Sequence, residues 1–250
     1  MRIDYPRQEQ LPQLRRLWQE AFGDEDAFLD LFFSAVFSPD RCMIAQVDGQ
    51  VAAALHWMDC RLAGKPVAYL YAVATGQAFR HHGLCRALME HTRAVLAQLG
   101  YAGILLVPGS RELRQMYSAM GYETATAVTE ILCTAAEAPV PLAPVTGEEY
   151  IRLRRAHLPE GSVLQESCSA FLEGCYRLYA GESCLLAAVK TDGGLFCPEY
   201  LGDPQQMPGV LRTLGAPSGK FRMPGNTIPF AMWLPLSEIM PPRYFAFAFD

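Results

Sequence analysis

Tyr71-Ala72-Val73-Ala74-Thr75-Gly76-Gln77-Ala78-Phe79-Arg80-His81-His82-Gly83-Leu84-Cys85-Arg86-Ala87-Leu88 reads as a strand, a polar bend, and the glycine-containing start of an amphipathic helix. The first amides of a helix have no internal acceptor and point outward, and the helix dipole adds positive potential there. A turn that exposes successive N–H groups at that point makes a nest for an anion. Gly83 lets the backbone approach a phosphate with no Cβ in the way. Arg80, His81, His82 and Arg86 supply donors and charge, and Leu84 and Cys85 complete the helix start. Hydrogen bonds to a charged partner contribute roughly 1.5 to 3 kcal/mol each. Four or five of them support micromolar binding, which needs about 8 kcal/mol.

Elements on either side follow an alternating pattern. Leu11, Leu14, Trp18 and Ala21 recur at helical spacing, and Asp24-Glu25-Asp26 suits the start of a second helix over the apolar run from Ala27 to Phe37. Cys42 to Val47 and Val51 to Cys60, joined through Asp48-Gly49, read as a hairpin. Val67 to Thr75 is the third strand. Leu84, Leu88, His91, Val95 and Leu99 mark one stripe of the helix that stops at Gly100. Ile104 to Val107 has the continuous apolar character of a buried central strand. A helix from Glu112 to Met120 and strands Tyr122 to Thr126 and Val128 to Cys133 close the unit. This order predicts an α/β fold, a mixed sheet with helices on both faces.

Three prolines within Pro139-Val140-Pro141-Leu142-Ala143-Pro144 mark residues 135–145 as an extended linker, with one unit at 1–134 and a second at 146–250. The second half repeats the coarse order of the first. Helices are expected over Glu148 to His157 and Ala170 to Leu178, with strands Leu185 to Val189 and Leu195 to Leu201 after them. A short helix near Val210 to Leu214 precedes strands Lys220 to Met223, Pro229 to Leu234 and Tyr244 to Phe249. No glycine-rich strand-to-helix junction occurs there, so no second cofactor site is expected.

The net charge of −5 gives no overall field toward nucleic acid or anionic membrane, so an anionic ligand must be held locally. No apolar run is long enough to cross a bilayer, and the first residues lack the apolar stretch of a signal peptide, which points to the cytoplasm. The eight cysteines show neither a CxxC pair nor metal-ligand spacing, and read as buried thiols in a reducing compartment. His81 and His82 diverge as neighbours and have no carboxylate-rich partner segment, so no metal is expected.

In its motifs the sequence resembles the GNAT acyltransferase superfamily, whose hallmark [Q/R]-x-x-G-x-[G/A] lies between a strand and a helix. Here it is Arg80-x-x-Gly83-x-Cys85. Tyr71-Ala72-Val73-Ala74-Thr75 resembles the family strand that pairs with the pantetheine arm, and Tyr117-Ser118-Ala119-Met120-Gly121-Tyr122 resembles its Y-x-x-x-G-[F/Y]. The likeness covers residues 1 to 134. It implies acetyl-CoA as co-substrate, held by Val73, Ala74, Thr75 and Arg80 through Arg86, and a Tyr117 hydroxyl that protonates the departing thiolate. The two-lobed layout is loosely similar to the enhanced-intracellular-survival acetyltransferases, whose third domain has no counterpart expected here. Cys85 stands where glycine or alanine is usual, either as a passive small residue or as a thiol activated by the helix start. Gln77 replaces a common proline and is expected to loosen the bend.

The implied activity is N-acetyl transfer to a primary amine of a small molecule or peptide by direct attack. The alternatives are a non-catalytic acyl-CoA sensor and a structural use of the fold. His56, Asp59 and Glu123 are candidate bases, alongside a water relay. The enhanced-intracellular-survival enzymes use a C-terminal carboxylate as base, and that role is not carried over to Asp250. Phe22, the acidic cluster and Phe28 occupy the segment that binds the acceptor in this superfamily. The C-terminal half is expected either to wall the acceptor site or to form a homodimer contact.

Overall fold

A computed structural model describes residues 1–249, so Asp250 lies outside the described residues. In chain order the elements begin with β1 (Arg2–Asp4), α1 (Leu11–Phe22), α2 (Asp26–Ala35), β2 (Cys42–Val47), β3 (Gln50–Leu62) and β4 (Lys65–Thr75). Next come α3 (Leu84–Gln98), β5 (Gly103–Leu106), α4 (Arg111–Ser118), β6 (Glu123–Thr124), β7 (Ala127–Thr134) and β8 (Ala143–Pro144). Then follow α5 (Gly147–His157), α6 (Ser169–Cys175), β9 (Arg177–Ala180), β10 (Leu185–Thr191) and β11 (Gly194–Leu201). The last are α7 (Met207–Leu214), β12 (Ser218–Pro224), β13 (Ile228–Pro229) and β14 (Met232–Pro235).

Two compact units result, but each is assembled from separate stretches of chain. The first comprises Met1–Glu123 and Trp233–Met240, and the second Thr124–Met232 with the residues from Pro241 onward. The first sheet runs β1-β2-β3-β4-β5-β14-β6 and the second β13-β7-β12-β11-β10-β9-β8. The boundary read at 134/135 is therefore corrected. β7 pairs antiparallel with β12 from Val128↔Pro224 to Thr134↔Ser218, which commits it to the second sheet. Nor is the proline-rich stretch a linker. The Ala135 amide donates to the Pro217 carbonyl at 3.0 Å, and Ala143 and Pro144 pair with β9 at the sheet edge, where proline costs no ladder bond.

In the first unit, α1 buries Leu14, Leu17 and Trp18 on one face and ends at Gly23, whose φ of 75° gives the left-handed C-cap. The β2–β3 turn puts Asp48 and Gly49 at φ 49° and 80°, the two-residue geometry expected of Asp-Gly. β3 and β4 form the longest antiparallel pair, from Leu62↔Lys65 to Ala53↔Thr75. α3 buries Leu84, Leu88, Met89, Thr92 and Leu96. His91 and Leu99 are exposed, so the stripe lies one residue out of phase with the sequence reading. Thr92 fits among apolar neighbours because its hydroxyl donates to the Leu88 carbonyl at 2.8 Å. β5 begins at Gly103, where a Cβ would lie 1.9 Å from the Trp233 ring of β14.

The second unit repeats the strand–helix–strand crossover. β11, α7 and the parallel partner β12 correspond to β4, α3 and the parallel partner β5. The junction differs. Asp203 accepts from the Gln205 amide at 2.9 Å, and Pro208 brings no amide to the first turn of α7. Tyr244 to Phe249 is not a regular strand. Tyr244 forms an isolated bridge to Ser162, and the Gln165 side chain bonds both backbone groups of Phe247. Beneath it Arg154 grips Glu199 in a bidentate pair at 2.7 and 2.8 Å, and the hydroxyls of Tyr150 and Tyr244 donate to the same carboxylate.

All eight cysteines are unbridged. Among the described residues no helix is long and apolar enough to cross a membrane.

Candidate acyl-donor site

β4 changes character along its length. Val67 to Leu70 are buried, and its register with β5 is carried by Ala68↔Ile104 and Tyr69↔Leu105. β5 ends one residue later, at Leu106, while β4 runs six residues past its last pair, to Thr75. Over that stretch β4 also slips against β3, from His56↔Tyr71 to Ala54↔Ala74. The slip is a bulge at Ala72 and Val73, with Ala72 at φ 50°. Nothing in the sequence announces it, since alanine rarely takes that conformation. Val73 and Thr75 are half-buried, Ala74 is buried, and β4 beyond Tyr69 has an edge without a β5 partner.

The bend then closes on itself. The Gly76 amide donates to the Ala52 carbonyl at 2.9 Å, and Arg80 Nε reaches back to the Thr75 carbonyl at 3.2 Å. Gln77 does not loosen the turn. Its amide donates to the Glu20 carboxylate of α1, a bond that proline could not make.

His81 at φ 65° and Gly83 at φ 76° are both left-handed, and the first bond of α3 runs from the Ala87 amide to the Gly83 carbonyl. Amides ahead of Ala87 therefore have no helical acceptor, and no side chain caps the helix. Left-handed residues alternating along such a turn point successive N–H groups the same way, which is the geometry of an anion nest. Arg80, His81, His82 and Arg86 are exposed around it, and Arg86 has Glu90 at 3.9 Å. Leu84 turns its side chain into the core, so only its amide is available.

Tyr117 lies on α4, which is capped by the Ser110 side chain accepting from the Leu113 amide at 3.2 Å. Its side chain is 5 % exposed, and no hydrogen bond to a described residue engages its hydroxyl. Burial first, then the neighbouring Cys85 thiol, pushes the phenol well above the usual tyrosine range. Tyr122 packs edge-on against Tyr117 at 6.0 Å, and its hydroxyl is buried with no partner among the described residues. Cys85 is thus brought beside two tyrosines. Burial raises its thiol pKa against the opposing effect of Arg86, which favours the passive small residue over the activated thiolate.

The three candidate bases separate clearly. Asp59 accepts from Arg41 Nε at 3.0 and 3.1 Å and from the Tyr101 hydroxyl, so the fold already uses it. Glu123 is exposed on β6. His56 is 4 % exposed among the rings of Trp18, Phe32, Phe33 and Phe37, and burial lowers its pKa to about 3. The acidic cluster is largely engaged as well. Asp24 accepts from Trp18 Nε1 and Asp26 from Gln19, both at 2.7 Å.

Residues 2–125 match the family model described as an acetyltransferase (GNAT) domain. Among solved structures, a GCN5-related N-acetyltransferase from Kribbella flavida is 18% identical, with a TM-score of 0.73 over 93% of this chain and 70% of that one. A GCN5-related N-acetyltransferase from Anabaena variabilis is 16% identical, with a TM-score of 0.74 over 94% of this chain and 73% of that one. Eis1 from Mycobacterium abscessus is 11% identical, with a TM-score of 0.69 over 94% of this chain and 74% of that one. At these identities the likeness is one of fold. Comparison with curated protein sequences gives no match.

Proposed function

Through residues 2–125 the chain belongs to the GNAT acetyltransferases, acyltransferases that draw on acetyl-CoA, and on that premise we propose that it transfers the acetyl group to a primary amine of a small molecule or peptide by direct attack. The amides from His81 to Arg86, with Arg80, His81, His82 and Arg86 around them, hold the diphosphate. The edge at Val73, Ala74 and Thr75 takes the pantetheine arm and gives an N–H to the thioester carbonyl. The amine lone pair attacks that carbon, the C–S bond breaks, the nitrogen gives its proton to water, and Tyr117 protonates the thiolate and regains a proton from solvent. The phenol lies beside Cys85 and its hydroxyl engages no described residue, so it has a proton to give there. The observation that carries this reading is the uncapped turn at His81 and Gly83 directly after the open edge of β4.

Titration calorimetry tests it. Saturable heat is expected with acetyl-CoA and with CoA, and Gly83→Val is expected to weaken both roughly tenfold or more, the share of one charged hydrogen bond. A Cβ at Gly83 meets nothing within 4 Å, so the variant's strain comes from its φ alone. Gly64→Val, at φ 78° in the β3–β4 turn, carries the same strain away from the nest and is expected to leave affinity unchanged. Equal affinity for wild type and Gly83→Val would remove the nest from the mechanism. Binding without thiol release across an amine panel would make the chain an acyl-CoA sensor.

A further inference from the structure

We propose that the acceptor is an amine carried on an aryl or similarly flat apolar body, received by a cluster of aromatic rings beside the β4 bulge, with His56 positioning its nitrogen; this rests on the transfer reading above. Trp18 is the centre of the cluster. Its ring lies 5.9 Å from Phe22, 6.4 Å from Phe28, 5.6 Å from Tyr71 and 5.4 Å from His56. Phe22 is 47% exposed and Phe28 and Tyr71 are half-buried, so the cluster opens to solvent on their side. Tyr71 is the last residue before the bulge, which places these rings next to the strand edge assigned to the thioester. Rings so arranged offer edge and face contacts to another ring.

His56 is the second observation. It pairs with Tyr71 at the point where the β3–β4 register breaks, so both side chains share one face of the sheet. Its Nδ1 is buried with no hydrogen-bond partner among the described residues; of the surrounding rings of Trp18, Phe32, Phe33 and Phe37, only Trp18 carries a donor, and that donor is given to Asp24. Folded proteins rarely leave a buried polar group unbonded. An imidazole kept neutral by burial accepts a hydrogen bond from an amine N–H and orients the lone pair, leaving the amine's proton to water. Of the nearby acids, Asp26 and Asp30 share Arg15 at 3.6 and 2.8 Å, which offsets part of the charge that would draw a polycation.

The test is thiol release with phenethylamine, putrescine and spermidine, run beside acetyl-CoA calorimetry on wild type, Phe22→Ala and His56→Phe. Phenethylamine is expected to have the highest kcat/KM. Phe22→Ala should raise its KM severalfold while holding kcat and acetyl-CoA affinity. His56→Phe keeps an aromatic ring but loses both nitrogens. It should hold Tm and acetyl-CoA affinity while kcat/KM falls roughly tenfold, the share of one hydrogen bond. Preference for putrescine or spermidine, or full activity in both variants, would overturn the inference and leave the transfer reading intact. A lower Tm with full activity in His56→Phe would identify a structural, water-bonded histidine and likewise overturn it. No release from any amine, with acetyl-CoA still bound, would sink the transfer reading itself. Should His56→Phe fail to fold, the amine panel and the exposed Phe22 still decide.

Discussion

Tyr117 and His56 are both buried and, among the described residues, form no side-chain hydrogen bond, so each invites a measurement in which stability and turnover separate. The Tyr117 hydroxyl meets no partner among the described residues, so Tyr117→Phe is expected to leave Tm within a degree or two of wild type. If the hydroxyl protonates the thiolate, kcat falls roughly 100-fold, at the low end for a general acid. Unchanged kcat where chemistry limits the rate would withdraw that role. His56 predicts a pH dependence of folding. Its folded pKa of about 3 lies below the ordinary 6.5, so below pH 6.5 the unfolded chain binds a proton that the folded chain refuses. Stability is therefore lost as pH falls from 6.5 toward 3, by up to a few kcal/mol. His56→Phe should flatten that limb, read as the difference between the two chains' unfolding free energies at pH 7 and pH 4.5. Parallel curves would contradict a neutral buried imidazole. At this scale the left-handed Gly83 and the uncapped start of α3 were legible, because a glycine stood at a strand-to-helix junction. The Ala72 bulge and the partner of Cys85 were not, because a left-handed alanine and a long-range side-chain contact leave no mark on neighbouring residues.

Among elements, the Arg154–Glu199 pair bridges α5 and β11 with both side chains almost wholly buried. Removing the carboxylate charge leaves a guanidinium stranded in the core. Glu199→Gln is expected to cost about 3 to 5 kcal/mol, read from the urea midpoint. Glu149→Gln, which touches an exposed pair with Arg152 at 3.4 Å, should change stability by less than about 1 kcal/mol. Similar costs for the two would mean that the buried pair is not holding α5 to the sheet. Elements with local signals were legible, such as the Asp48-Gly49 hairpin and α3. The face of α3 was misread because Met89 and Leu96 lie one position beyond a stripe drawn through His91 and Leu99. The segment from Pro229 to Leu234, read as one strand, is divided between β13 of the second sheet and β14 of the first, because alternation of side chains does not say which sheet a strand will join.

For the molecule as a whole, the decisive fact is that β14 sits between β5 and β6 although more than a hundred residues separate them from it in sequence. Residues 1–134, which look self-sufficient as text, lack that strand and the Trp233 ring that covers Gly103. Expressed alone, this piece should show no cooperative thermal transition and a weak near-ultraviolet signal. A sharp transition would show that the first unit closes without its late strand. The proline run misled for a related reason, since extended backbone at the rim of a sheet and extended backbone in a tether have the same composition. On the ribosome the arrangement imposes a schedule. The half of the sheet that carries the nest can assemble early, but β5 must wait with one flank bare until residues 233–235 have emerged from the exit tunnel. During that interval the nascent chain exposes an apolar edge, and the time it spends so exposed depends on how fast the intervening codons are read.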